Sequence, residues 1–247
     1  MPVRSAIRES WSLLREGLVS FVYPPRCAAC RELGRPVVCS RCIAAFTEMP
    51  DVVCRTCGMD LGDEGPLRTR SSYCRNCTDH APHHFEWARA RGRFDGTLRT
   101  CIHRLKYDGR RCVGNVIGEW LRKGVCLRPP HRPDVVAPVP LHWTRMRQRG
   151  FNQSYLIARA FVGDREWPIE PHLLRRTRRT RPQVELHADQ RAANVRGAFA
   201  VSRPREVRGR RVLVVDDVVT TLSTVDECAR ALKEAGAAEV YVVAAAR

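Results

Sequence analysis

The chain has 247 residues and a formal charge of +17, with 44% apolar residues, enough for one α/β core plus a small appendage. Lys106, Lys123 and Lys233 are its only lysines, so nearly all of its 43 basic residues are arginines, a side chain that grips phosphate bidentately and stacks on bases. A GC-rich genome would explain arginine in place of lysine, but not this excess over 26 acids, which points to nucleic acid or another polyanion. No run approaches the roughly 18 apolar residues needed to cross a bilayer.

Residues 1–26 fit an amphipathic helix with Ile7, Trp11, Leu14, Leu18 and Phe21 or Val22 on one face, expected to pack against the body of the protein. Arg4, Arg8, Glu9, Arg15 and Glu16 break any apolar stretch of a secretory signal, so the chain is expected in the cytoplasm. There its 12 cysteines read as metal ligands or free thiols. In residues 27–84, eight of them form four C-x-x-C knuckles: Cys27 with Cys30, Cys39 with Cys42, Cys54 with Cys57, and Cys74 with Cys77. Each knuckle offers two corners of a tetrahedron, so two structural zinc sites of four thiolates are expected, with no open position for water. The spacing suits sequential ribbons and leaves a cross-braced pairing open. Gly58 allows the tight turn of its knuckle. His80, His83 and His84 follow and could substitute, although two complete sets leave them no vacancy.

The main domain, residues 85–247, is expected to begin with a strand over 85–93. Leu98, Ile102 and Leu105 trace a helical face, and a second helix covers 112–123. After Pro129, Pro130 and Pro133, residues 134–140 read as a short strand ending in a rigid turn. Arg145, Arg147 and Arg149 crowd a loop, Gly150 turns it, and Asn152 opens a helix carrying Tyr155, Leu156, Ala158, Arg159 and Phe161. Arg175, Arg176, Arg178, Arg179 and Arg181 make a run that could clamp pyrophosphate, touch a DNA backbone with Phe151, Trp143 or Tyr155 stacking on bases, or simply be solvated. Cys101, Cys112, Cys126 and Cys228 read as small buried hydrophobes.

Val212, Leu213, Val214 and Val215 form the unbroken apolar run of a strand buried on both faces of a parallel sheet. Asp216 and Asp217 follow at its carboxyl end, the edge where open α/β sheets place ligands. A hydroxyl-rich turn then leads into a helix with Val225, Cys228, Ala229 and Leu232 inward and Gly236 as its stop. Two carboxylates suit the vicinal hydroxyls of a sugar, directly or through Mg²⁺, and a helix N-terminus with threonines suits its phosphate. The plain alternative is an ordinary strand–turn–helix with Asp and Ser/Thr caps. Strands near Val135, Val212 and Val240 complete the expected sheet.

These residues resemble the ribose-phosphate loop of type I phosphoribosyltransferases, D-D-x-x-T-T-G-x-T, at Asp216, Asp217, Thr220, Thr221 and Thr224. They depart from it at Leu222, where that family has a glycine. Val139-Pro140-Leu141, Arg149-Gly150-Phe151-Asn152-Gln153, Leu105-Lys106-Tyr107, the stretch with Arg176, Arg178, Thr180 and Gln183, and residues 191–199 are together similar to the signature of the ComF family. These are competence proteins with a zinc ribbon and a phosphoribosyltransferase-like domain, and the likeness runs from about Cys27 to the end.

The resemblance implies an α/β fold, a parallel sheet flanked by helices behind an N-terminal Cys₄ zinc-ribbon domain. It implies a cytoplasmic role in natural competence, acting on incoming single-stranded DNA beside other uptake proteins such as a helicase. It also implies phosphoribosyl pyrophosphate bound with Mg²⁺ by Asp216, Asp217, Val218, Thr220, Thr221, Leu222, Ser223 and Thr224, with Val139, Pro140 and Leu141 at the pyrophosphate. Arg149, Arg176, Arg178, Thr180 and Gln183 would then belong to a closing loop or a nucleic-acid contact. No residue reads as a catalytic base or nucleophile. Two alternatives remain: a phosphoribosyltransferase that salvages a base, and a zinc-ribbon scaffold whose phosphosugar site is vestigial.

Overall fold

The computed structural model describes residues 24–62, 72–79, 82–125, 127, 131–180 and 188–247. The expected N-terminal helix, Cys126, Arg181 and Gln183 lie outside them. The ribbon region contains two short helices, α1 (Ser40–Ala44) and α2 (Arg75–Asp79), each starting just after the first cysteine of a second knuckle. The main domain follows as β1 (Trp87–Gly92), α3 (Gly96–Tyr107), α4 (Cys112–Gly124), β2 (Val135–Pro138), α5 (Trp143–Arg149) and α6 (Gln153–Val162). Then come β3 (Leu174–Arg176), α7 (Ala188–Val195), β4 (Phe199–Val201), β5 (Arg211–Val218), α8 (Ser223–Glu234) and β6 (Glu239–Ala246).

Four strands form a parallel sheet in the order β1-β6-β5-β2, while β3 and β4 pair as a separate antiparallel hairpin. The uniform apolar runs of β5 and β6 are buried because both faces of the sheet are covered. Val212, Val214, Val240 and Val242 pack on one face with Val225, Cys228, Ala229 and Leu232 of α8. Leu213, Val215, Tyr241 and Val243 pack on the other with α3, α4 and α6 through Leu98, Ile102, Ile117, Ile157 and Phe161. The ends of the strands are pinned by charge: the backbone amide and guanidinium of Arg211 all donate to the Asp134 carboxylate, aligning β5 with the start of β2.

The two ribbons join opposite faces of this core. Cys27, Cys39, Cys42 and Phe46 enter the α3–α4–α6 side, with Phe46 edge-on to Trp120 at 5.0 Å. Cys54, Cys57 and Cys74 enter the α8 side. Gly58 has φ +68, and a Cβ there would lie 2.4 Å from the carbonyl oxygen of Ala88, so the knuckle turn is also a close contact with β1. Gly118 lets α4 approach α6, since a Cβ would meet the Ile157 carbonyl oxygen at 2.5 Å.

Four sequence expectations change. The strand ending at Val215 runs on through both aspartates to Val218, because Asp216 and Val218 still pair with Ala244 and Ala246 of β6. Arg145, Arg147 and Arg149 stand on a two-turn helix, α5, rather than in a loop; the His142 ring accepts from the Thr144 amide at its start and Gly150 ends it at φ 75. Cys112 is exposed, whereas Cys101 and Cys228 are buried as expected. Phe151 is only 6% exposed with the Arg111 guanidinium over its ring, so it offers no face to a base. Among the described residues no helix is long and apolar enough to cross a membrane.

Candidate functional site

The acidic pair lies near the carboxyl end of β5, and neither side chain is free. Asp216 is 8% exposed and Asp217 3%. Buried carboxylates need partners, because an unpaired one costs several kcal/mol or takes up a proton. Asp216 Oδ1 accepts from Ser154 Oγ at 2.9 Å and from the Asp217 amide at 2.9 Å. Asp217 Oδ1 accepts from Gln153 Nε2 at 3.0 Å, while its Oδ2 forms an ion pair with the Lys106 ammonium, without hydrogen-bond geometry. Gln153 and Ser154 are the first residues of α6, whose start is set by Asn152. Its Oδ1 caps the Ser154 amide at 3.0 Å, and its Nδ2 reaches the Val139 carbonyl at 3.0 Å. Arg149 in turn donates to Gln153 Oε1 and lies over the Tyr107 ring at 5.8 Å.

Three of the sequence motifs therefore converge here: Leu105-Lys106-Tyr107, the Arg149 to Gln153 segment, and the aspartates. Burial, and after it the charge of Asp217, pushes the Asp216 carboxyl up to about 7, against the pull of Lys106 and Ser154. Lys106 and Gln153 stand in motifs visible in the sequence that give them no role at the acidic pair, and Ser154 lies outside every motif.

The turn after the pair is built by backbone. The Val219 amide bonds the Ala246 carbonyl at 3.0 Å, and Leu222 takes φ 64, ψ −6 before α8 begins. Leucine thus occupies the left-handed conformation that the family's glycine would adopt freely, a geometry that costs a non-glycine residue about 1–2 kcal/mol. Its side chain is 4% exposed and turned into the core with Val219 and Val225. Thr220 is exposed, Thr221 and Ser223 share a hydroxyl hydrogen bond of 2.9 Å, and Ser223 and Thr224 form the first turn of α8.

Opposite the pair, Val139 and Pro140 are buried at the end of β2 and Leu141 is half-buried. The next residue, His142, is buried, and burial together with Arg176, Arg179 and Arg145 lowers its pKa. Arg176 lies over the Phe199 ring at 5.2 Å and donates to Thr180, yet its buried Nε has no partner. Burial pulls its pKa down, with Arg145 adding to the effect. Arg178, by contrast, is tied to the carbonyls of Asn194 and Arg196, so it braces the hairpin.

The eight knuckle cysteines form two sets: Cys27, Cys30, Cys39 and Cys42, and Cys54, Cys57, Cys74 and Cys77. Within each set the sulfurs lie within 4.8 Å of one another, and pairs such as Cys30–Cys39 at 3.9 Å and Cys57–Cys74 at 3.5 Å approach the edge of about 3.8 Å that 2.3 Å zinc–sulfur bonds require. The pairing is therefore sequential, not cross-braced. Backbone amides of Cys39 and Cys74 point at the sulfurs of Cys27 and Cys54 at 3.4 and 3.3 Å. Burial opposes ionisation of Cys27 and Cys54, but amides led by those of Cys39 and Cys74 outweigh it and bring both thiols to about 6. His83 and His84 are not drawn into either set: both pair with Asp226 in the first turn of α8.

With this geometry in view, the chain can be compared with known proteins. A family model described as a double zinc ribbon domain matches residues 18–78, and one described as a phosphoribosyl transferase domain matches residues 149–247. Competence protein F of Haemophilus influenzae is 28% identical over 232 residues, covering 90% of this chain and 96% of that protein. The DNA utilization protein YhgH of Escherichia coli is 32% identical over 231 residues, covering 89% of this chain and 95% of that one. Among solved structures, glutamine phosphoribosylpyrophosphate amidotransferase from B. subtilis, complexed with ADP and GMP, aligns with TM-score 0.38 and 24% identity. It covers 54% of this chain, which spans about a quarter (26%) of that one. On the strength of its match to nearly the whole length of YhgH, the chain belongs to the ComF family of competence proteins, a double zinc ribbon joined to a phosphoribosyltransferase domain.

Proposed function

We propose that this protein acts in the cytoplasm in DNA uptake, a reading supported by the names of its relatives, competence protein F and DNA utilization protein YhgH. It would do so by binding phosphoribosyl pyrophosphate at the acidic pair and single-stranded DNA on its arginine-rich surface. The observation that carries the reading is the convergence of Lys106, Gln153 and Ser154 on Asp216 and Asp217 beside the start of α8. In this reading the two carboxylates take the ribose hydroxyls, and the hydroxyls of Thr220, Thr221, Ser223 and Thr224 with the first-turn amides of α8 take the 5′-phosphate. The turn at Val139, Pro140 and Leu141, with His142 and Arg176, faces the pyrophosphate. Bound Mg²⁺ would neutralise charge on the pyrophosphate. Zinc in the two cysteine sets would hold the ribbons folded, and helicase-like uptake proteins are the natural partners for their outer surface.

The inward Leu222 supports the phosphate site, because its side chain does not stand where the phosphate would lie. That same point favours a second reading, transfer of the phosphoribosyl group to an acceptor base. Pyrophosphate release that depends on one base in a panel would support it; no release across the panel would remove it. The first reading is tested by calorimetric titration of the zinc-loaded chain with phosphoribosyl pyrophosphate and Mg²⁺, beside an Asp216→Asn/Asp217→Asn variant. Binding that the variant loses is expected; no binding to the parent refutes it.

A further inference from the structure

The described residues include five exposed large apolar side chains, and three of them stand on the elements that carry Lys106 and Arg149: Tyr107 at 68% on α3, and Trp143 at 60% and Met146 at 44% on α5. Their placement follows from the elements that build the site. Tyr107 ends α3, directly after the Lys106 that pairs with Asp217. Trp143 opens α5, directly after the turn that follows β2. Each ring carries its own cation, Arg149 over Tyr107 at 5.8 Å and Arg147 over Trp143 at 6.0 Å. The row continues along α3, where His103 lies 5.5 Å from Tyr107 and 6.1 Å from Phe94, with Arg99 over Phe94 at 5.9 Å. Burial lowers the pKa of His103, helped by Arg99 and Lys106, which favours an uncharged ring.

Charge decides what such a surface can meet. Neither α3 nor α5 contains a carboxylate, and Asp108, just past α3, is paired with Arg104. Exposed rings between guanidinium groups, on a chain of net charge +17, fit a polyanion that also presents flat faces. Duplex DNA hides those faces in its stack; a single strand does not.

We propose that the end of α3 and the face of α5 form a base-stacking rim for single-stranded nucleic acid, with Tyr107 and Trp143 as its platforms. The proposal rests on the strand-binding reading above and gives it a location. Arg149 makes the rim part of the sugar site's wall, because it touches Tyr107 on one side and Gln153, the hydrogen-bond partner of Asp217, on the other. A base stacked on Tyr107 therefore lies next to the ribose position, so the site is shaped to work beside a strand rather than on a free base alone.

The test is fluorescence anisotropy of a labelled oligothymidylate with the full, zinc-loaded chain across a salt series, for the parent, Tyr107→Ala, Trp143→Ala and Tyr107→Phe. Both side chains are exposed, so matching thermal unfolding midpoints will show that the alanine variants fold. Each alanine variant should bind about tenfold more weakly, inside the range of about five- to 150-fold that loss of one stacked base produces. Tyr107→Phe should bind like the parent, and the salt slope should not change, since no charge is removed. In Arg147→Ala the slope should fall by about 0.7. Parent-like affinity in both alanine variants would overturn the rim and leave the strand-binding reading standing. No salt-dependent affinity in the parent would overturn both. A duplex of equal length binding as tightly as the single strand would also overturn the rim.

Discussion

Lys106→Met tests whether the acidic pair is held as described. Asp217 keeps only 4% of its side chain exposed and Lys106 21%, so the pair is buried at the carboxylate and partly exposed on the lysine side. Breaking a buried ion pair by removing one partner costs about 3–5 kcal/mol, because the other charge stays buried and uncompensated. Two features place this case near the lower bound. Gln153 still donates to Asp217, and the lysine side chain is itself partly exposed. Asp216 works the other way, since Lys106 offsets its burial and its repulsion from Asp217. A loss of about 3 kcal/mol is therefore expected in urea unfolding of the zinc-loaded protein followed by circular dichroism. Asp217→Asn alone should cost about 1–2 kcal/mol, because the freed ammonium can turn to water. The Lys106→Met/Asp217→Asn double variant should then lose less than the sum of the two. A loss below about 1 kcal/mol for Lys106→Met, or strict additivity, would refute a buried pair.

Chelation of the ribbons should unfold the segment and detach both faces of the core that it caps, since zinc in such sites contributes on the order of 10–16 kcal/mol; native mass spectrometry should count two zinc ions in the parent and one in Cys54→Ser. Leu222→Gly relieves the left-handed backbone but deletes a buried side chain, so a net loss of about 1–3 kcal/mol is expected, with Leu222→Ala worse because it keeps the strain; an alanine variant more stable than the glycine one would contradict the φ of 64. The carboxyl of Asp216 sits at about 7 in the folded chain against 3.8 ordinarily, so the fold holds its proton more tightly than the unfolded chain does. Below about pH 4 the group is neutral in both states, and stability is lost as pH climbs from there past about 7. Asp216→Asn should remove that loss, so its stability relative to the parent should improve between pH 4 and 8; a flat difference across this range would refute the assignment.

Much of the fold was legible because the apolar run of β5 can only be a strand covered on both faces, and the knuckles can only close a metal site. What escaped was set by contacts between distant residues. α5 escapes the sequence because it has only two turns, buries no side chain that would show a helical period, and is capped by a histidine, a weak signal beside Ser, Thr, Asp or Asn. The β3–β4 hairpin has strands of three residues each, too short for alternation to show. Lys106 is the instructive case. In a chain that uses arginine almost everywhere, a lysine inside an apolar helical pattern was itself a signal, because a compact point charge fits a single buried carboxylate oxygen where a planar fork does not. Leu222 shows the opposite: the departure from glycine was visible, but only the packing of Val219 and Val225 reveals that the leucine turns inward.

Among the described residues, three unfavourable features meet in one place. Asp216 is buried with its proton affinity raised, Leu222 stands at positive φ, and Arg176 keeps a buried Nε without a partner, all bordering the carboxyl ends of β5 and β2. A turn needed only as architecture would be served better by neutral side chains and a glycine, as local strain and buried charge persist where surrounding structure is organised to hold them. A vestigial phosphosugar site and a working one therefore differ in a measurable way. If the site is only scaffold, Asp216→Asn/Asp217→Asn changes stability and nothing else. If it works, the same variant also loses the phosphosugar, so binding measured beside stability separates a site whose charges are buried to meet a ligand from one that is only scaffold.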